Sequence, residues 1–122
     1  MDDVWLLDPT TPRPNCPDCG GGMEFRAGTF GPFWGCVQYP ACRGTIAAFP
    51  DGRLRATPGN AEVRELRRSC HLAFDQRWQT KAERRAQYAW LAEAMRLHPA
   101  ACHFRFFDAD QCRQALTLLG EE

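Results

Sequence analysis

Four cysteines set the terms for the first half of this chain. Cys16 and Cys19 stand two residues apart, sixteen residues intervene, and Cys36 and Cys42 follow with five between them. Two close thiolate pairs, separated by enough chain for two strands and a turn, are what a tetrahedral zinc ion requires. The run Cys16-Pro17-Asp18-Cys19-Gly20 reads as a tight turn in which backbone amides point at sulfur, with the glycine relieving the chain. A segment of under about 50 residues buries too little apolar surface to fold unaided, so the metal would supply the missing stability. With all four positions filled by protein, such a zinc has no place for water or substrate.

The bulk numbers point the same way. The chain has 122 residues, with 25% charged and 44% hydrophobic, which describes a globular protein rather than a disordered one. No apolar run approaches the roughly 20 residues of a membrane-crossing helix. The start, Met1-Asp2-Asp3, is acidic where a signal peptide would be basic, which predicts a cytoplasmic protein. In that compartment seven cysteines are metal ligands or free thiols before they are disulfides. The formal net charge is zero, which argues against strong non-specific duplex binding. Basic residues are 14 arginines and one lysine, a bias that genome composition explains more readily than function.

Composition changes near Pro58-Gly59-Asn60. Most glycines and prolines lie before this point; one of each lies after it, in a stretch with helical periodicity. The predicted organisation is a lead-in over 1–12, in which Trp5-Leu6-Leu7 could pack on the domain, a zinc ribbon over 13–58, and a three-helix domain over 59–122 packed against it. The fold class is α+β. Strands are predicted over 23–27 and 33–37, then a hairpin of 44–49 and 53–56 turned by Pro50-Asp51-Gly52, for three to four strands in all. The first helix starts after Asn60 and carries Val63, Leu66, Cys70, Phe74 and Trp78 at three-to-four spacing. Thr80 and Glu83 form a capping box for the second, expected to run to about Leu97. This helix has one apolar stripe of Tyr88, Leu91, Ala92 and Met95 and another of Ala82, Ala86, Ala89 and Trp90, so it is predicted to be the central one. Asp108 and Gln111 cap the third, Cys112, Ala115, Leu116 and Leu119 face inward, and Gly120 ends it.

Phe30, Phe33, Trp34 and Tyr39 crowd the ribbon, and Arg26, Arg43, Arg53 and Arg55 are interleaved with them. So thin a sheet cannot bury four rings. Some cover the helical half, which is the reading preferred for Phe33, or stand exposed as a stacking platform for unpaired bases with arginines on the phosphates. Trp34 and Tyr39 fit either role. Arg77, Lys81, Arg84 and Arg85 could extend a phosphate track, although a charge run on a helix is more often a solvated face. In the helical half, His71, Cys102, His103 and Cys112 form a candidate second polar or metal cluster. Cys70 and Cys112 lie on apolar stripes, where a thiol behaves as a small hydrophobe. A Cys-His catalytic pair would need an exposed thiolate and an oxyanion hole, and nothing in the sequence points to either.

The stretch Cys16-Pro-Asp-Cys19-Gly-Gly, Arg26-Ala-Gly-Thr-Phe-Gly-Pro-Phe-Trp-Gly-Cys36, Tyr39-Pro-Ala-Cys42-Arg-Gly-Thr resembles the C-terminal zinc ribbons of type IA DNA topoisomerases over about 35 residues. The resemblance implies single-stranded DNA binding. It does not imply strand cleavage, because no nucleophilic tyrosine neighbourhood or acidic metal cluster fits in this chain. The helical half resembles a phage and bacterial family of zinc-finger-containing proteins, through Asn60-Ala-Glu-Val-Arg-Glu-Leu-Arg67, His71-Leu-Ala-Phe74-Asp75 with Trp78, Arg85 with Tyr88-Ala-Trp90-Leu-Ala92, and Cys102-His103, Phe107-Asp108 and Cys112-Arg113. That likeness implies architecture and no activity. The chain therefore reads as a non-enzymatic zinc-ribbon protein for nucleic acid, single-stranded DNA first, or alternatively as a docking module for a protein partner. No membrane and no small-molecule substrate are expected.

Overall fold

The computed structural model describes residues 12–120, so the lead-in and its Trp5-Leu6-Leu7 lie outside the described residues. The chain divides between residues 61 and 62 into two compact units.

The first unit is an antiparallel sheet of β1 (Met23–Gly28), β2 (Gly31–Cys36) and β3 (Thr45–Ala47), in the order β1-β2-β3. Its register sets Met23 opposite Cys36, Phe25 opposite Trp34 and Arg26 opposite Phe33, while Ile46 pairs with Trp34 and Ala47 with Phe33. Strand alternation then sorts the side chains by face. Met23, Trp34, Cys36, Ile46 and Ala48 are buried on one side with Phe25 packed against them, and Arg26, Phe33, Thr45 and Ala47 take the other. The predicted fourth strand over 53–56 shrinks to a single bridge between Ala48 and Leu54. The turn before it explains this. Gly52 sits at φ +94, and the Trp34 indole Nε1 donates to its carbonyl at 2.8 Å, so the chain is drawn under the sheet rather than along it.

The second unit holds α1 (Ala61–Asp75), α2 (Lys81–Met95) and α3 (Ala109–Gly120), with two short 3₁₀ turns at Pro99–Ala101 and Phe104–Phe106. In α1 the inward residues Cys70 and Phe74 are one turn apart. The helix ends at Asp75, short of Trp78, whose indole instead donates to the Asp75 carboxylate at 3.1 Å. The α2 capping box is complete: the Glu83 amide donates to Thr80 Oγ1 at 3.1 Å and the Thr80 amide to Glu83 Oε1 at 3.1 Å. Its carboxyl group is held below the usual carboxylate range by those amides of Gln79 and Thr80. Arg96, left-handed at φ 58, stops the helix two residues before the predicted end. Asp108 and Gln111 exchange the same pair of hydrogen bonds ahead of α3.

The expected second apolar stripe of α2 is corrected, although the helix does pack against both α3 and the Pro99–Ala101 turn. Leu91, Ala92 and Met95 are buried, but Ala82, Ala86 and Ala89 are exposed. Alanines present too little apolar area to recruit a second neighbour, while Trp90 packs partly against the core and also carries the Arg77 guanidinium 4.6 Å above its ring. The segment after α2 fills much of the same core. Cys102, Phe104 and Phe107 are all buried, and Phe104 packs edge-on against Phe74 and Phe107, each at 5.4 Å between ring centres.

Candidate metal centre and aromatic face

Two knuckles deliver the four sulfurs. The first, 16–21, closes with the Gly20 amide donating to Cys16 O at 2.8 Å, and Gly20 takes φ +79 to do so. The second follows β2, where Ala41 N and Cys42 N both return to Gln38 O. The Sγ atoms of Cys16, Cys19, Cys36 and Cys42 lie within 4.8 Å of one another, and the Cys16–Cys42 and Cys19–Cys36 pairs are each 3.6 Å apart. A zinc ion with bonds of about 2.3 Å holds its sulfurs about 3.8 Å apart, whereas a disulfide needs about 2.05 Å. The tetrad therefore has the size of a zinc site and not of a cystine.

The surroundings fit an anionic sulfur cluster. Amides of Asp18, Gly21 and Gln38 donate to Cys16, Cys19 and Cys36 Sγ, each at 3.4 Å. Burial pushes the Cys16 thiol up, but the Cys19 and Asp18 amides and the neighbouring thiols outweigh it and bring it down to about 7. At Cys42 the Gly44 amide works to lower the thiol, yet burial and the other three sulfurs push it up to about 12. One proton leaves easily and the last is held by the anions already formed. A dication at the centre removes that repulsion, so metal binding and proton release go together. Gly44 completes the site: a Cβ there would overlap Cys16 Sγ, so no other residue fits against the ligand.

The other predicted residues separate into two sets. Trp34 is 0% exposed, with its ring 5.3 Å from Phe25, and is core rather than a stacking platform. Sequence reasoning left this open because strand alternation does not show which face is covered. Phe33 is half-buried on the sheet's open face, its ring seated on glycines: a Cβ on Gly28 or Gly35 would come within 2.8 or 3.1 Å of it. Arg26 lies beside it, and its Nη2 donates to Cys36 O at 3.2 Å. Tyr39, 57% exposed, has the guanidiniums of Arg26 and Arg43 each 5.9 Å from its ring centre. Arg53 and Arg55 converge on Phe49, 5.1 and 5.4 Å from its ring. Phe49 was absent from the residues predicted for binding; the arginines four and six places later, returned by a Pro-Asp-Gly turn, are the signal that marks it. Phe30 stands alone at the β1–β2 turn, 99% exposed.

The predicted second cluster does not form. The four ribbon cysteines are the one potential metal-holding group among the described residues. His71 packs edge-on against Phe104 at 4.8 Å and His103 lies 5.4 Å from Tyr88, while Cys102 and Cys112 are buried. The Cys70 thiol donates to Cys112 O at 3.4 Å and burial pushes it up to about 12; Cys102 and Cys112 are raised by burial as well. Dry, protonated thiols pack as small hydrophobes and do not ligate or attack.

A three-stranded antiparallel sheet with paired cysteine knuckles at one end and a closed tetrahedral sulfur site defines a zinc-ribbon protein with a helical companion, and the chain binds zinc there. It belongs to the family described as a zinc-finger-containing domain (DUF3268), whose model matches residues 13–122. It is also similar to the Escherichia coli protein entitled "Uncharacterized protein YrdD", 57% identical over 28 residues, which are 23% of this chain and 16% of that one. With the DNA topoisomerase 1 of Campylobacter jejuni it shares 48% identity over 29 residues, 24% of this chain and 4% of the relative. The chain thus spans only a small part of the length of these relatives. No solved structure matches it. Among the described residues no helix is long and apolar enough to cross a membrane.

Proposed function

We propose that the chain is a non-catalytic zinc-ribbon protein that binds single-stranded nucleic acid, DNA in the first place, on the open face of its sheet. One observation carries the reading: the exposed rings of Tyr39 and Phe49 each lie under two guanidiniums, Arg26 with Arg43 and Arg53 with Arg55. A bare apolar patch would speak for a protein partner. Rings interleaved with arginines offer base stacking, worth about 1–3 kcal/mol per base, beside phosphate contacts. Unpaired bases expose the ring faces such a platform needs, and a duplex hides them. Phe33 supplies a third ring, and the short stretch shared with a DNA topoisomerase supports the same reading. The zinc holds the sheet rigid and offers no open position for chemistry.

Fluorescence anisotropy of the zinc-loaded protein with a labelled single strand and its duplex tests this. The expected result is tighter single-strand binding, lost in Tyr39→Ala and weakened in Arg43→Gln. Four arginine–phosphate contacts predict a log–log salt slope of roughly −3. No salt-dependent affinity for any single strand would overturn the reading. A second reading, docking on a protein, is favoured by Phe30, which stands 99% exposed without a nearby guanidinium. Co-purification that survives nuclease and high salt and fails in Phe30→Ser would support it.

A further inference from the structure

The helical unit contains a cavity of about 720 Å³ that the ribbon reading does not use. It lies on α2 where residues one turn apart share a face: Arg85, Ala89, Ala92 and Glu93. Ala89 and Ala92 leave the volume open. The opposing wall comes from the chain after α2. The left-handed Arg96 ends the helix, and the His98 Nδ1 accepts the Ala100 amide at 3.0 Å, turning the chain so that Pro99 and His103 face α2 across the opening. Tyr88 and His103, 5.4 Å apart, make an aromatic corner.

The charge at the mouth is positive. Arg84 stacks on Tyr88 at 4.9 Å and on Trp78 at 5.8 Å, which fixes its guanidinium at the rim beside Arg85. Among the described residues neither arginine has an ion pair. Glu83, the nearest acid in sequence, is spent on the capping box. The field reaches inward: the His103 imidazole is held below its ordinary range by burial first, then by Arg105 and Arg84.

We infer that this cavity is a binding site for one nucleotide, with its base against the Tyr88–His103 corner and the apolar floor and its phosphate on Arg84 and Arg85. The volume is larger than a bare phosphate needs and falls in the range of sites for small organic ligands. The floor is apolar and the corner aromatic, which suits a planar base. Planar guanidiniums held by stacking are the groups that grip phosphate with two hydrogen bonds. Glu93, on the rim away from the arginines in sequence, provides an acceptor for an exocyclic amine and disfavours a second phosphate. The nucleotide could arrive free or as the phosphorylated end of a strand; the chemistry recognised is the same. All of its lining residues belong to the helical unit, and it stands whether or not the ribbon binds nucleic acid.

Titration of the full zinc-loaded chain with adenosine monophosphate, followed by amide chemical shifts in NMR, tests the inference. Shifts are expected at Ala89, Ala92 and His103 and not in the ribbon. Adenosine and inorganic phosphate should each bind at least about tenfold more weakly. Ala89→Leu, which fills the cavity from an exposed helical position, should abolish these shifts, and Arg84→Gln with Arg85→Gln should weaken binding by at least about tenfold. An oligonucleotide with a terminal phosphate that outcompetes both the free nucleotide and its unphosphorylated twin would identify a strand end as the source; equal competition would identify the free nucleotide. The inference is overturned if millimolar adenosine monophosphate leaves these amides unmoved, if phosphate alone binds as well, or if Ala89→Leu binds like the parent. Loss of single-strand binding in Tyr39→Ala with the nucleotide shifts intact would concern the ribbon alone.

Discussion

Gly44→Ala isolates what the tetrad demands of its surroundings, because it changes no ligand. A Cβ at this position would overlap Cys16 Sγ. Unlike the free end of a flexible side chain, that sulfur cannot swing away: it is bonded to the metal, receives the Asp18 amide, and sits 3.6 Å from Cys42 Sγ. Relief requires a shift of roughly 1 Å in the sulfur or in the backbone leading into β3, against a tolerance of about 0.2 Å in zinc–ligand distance. The Cys36 amide also donates to Gly44 O at 3.0 Å, so moving the backbone disturbs a second ligand. The expected loss in zinc affinity is roughly 10- to 100-fold, as for other groups that position ligands, or about 1.4–2.7 kcal/mol. Gly22→Ala is the control: it lies in the same unit, nothing stands within 4 Å of its added Cβ, and it should bind zinc like the parent. Competition with a chromogenic chelator measures both, and the thiolate absorption of the cobalt form reports the geometry. A Gly44→Ala protein within twofold of the parent would refute the close-fitted site.

Chelation of zinc should collapse the amide dispersion of β1–β3 while the far-ultraviolet helical signal persists, since the six-residue core of the ribbon includes two of the ligands, Cys16 and Cys36; a ribbon that stays folded without metal would contradict this. Trp34→Ala should destabilise the ribbon by about 3–5 kcal/mol through loss of a fully buried ring and its bond to Gly52 O, and so weaken zinc retention even without nucleic acid present. A folded Trp34→Ala ribbon that had lost only strand binding would restore this residue to the stacking face. In the helical unit, desolvation holds the imidazoles of His71, at the surface but packed on Phe104, and of the half-buried His103 below 6.5. A group depressed in this way binds fewer protons folded than unfolded, so stability is full above 6.5 and declines as pH falls through that value. Urea midpoints of chelator-treated protein, read by helical signal, should drop between about pH 7.5 and pH 5.5, with a shallower drop in His103→Gln; equal midpoints would refute the lowered imidazoles.

The sequence by itself determined the zinc tetrad, the α+β class, and the starts of α2 and α3. These are local matters: cysteine spacing specifies the knuckles, and the pairs Thr80–Glu83 and Asp108–Gln111 satisfy helix-end amides within four residues. The faces and the fillings were decided only in the tertiary structure. Trp34 and Phe33 are neighbours in one strand, and which becomes core depends on Phe25, Ile46 and the returning Gly52 carbonyl, all brought in from elsewhere. Phe104 and Phe107 have no periodic signature because they lie in and just after a single 3₁₀ turn, yet they fill the core beside Leu91, Ala92 and Met95 of α2. The proposed cysteine–histidine cluster failed for the same reason: Cys102 and Cys112 were wanted in that core, and burying an apolar thiol costs less than burying an unpaired charge. Local hydrogen bonds can be read along the chain, whereas burial is a competition among residues far apart in it, settled only when the surfaces meet.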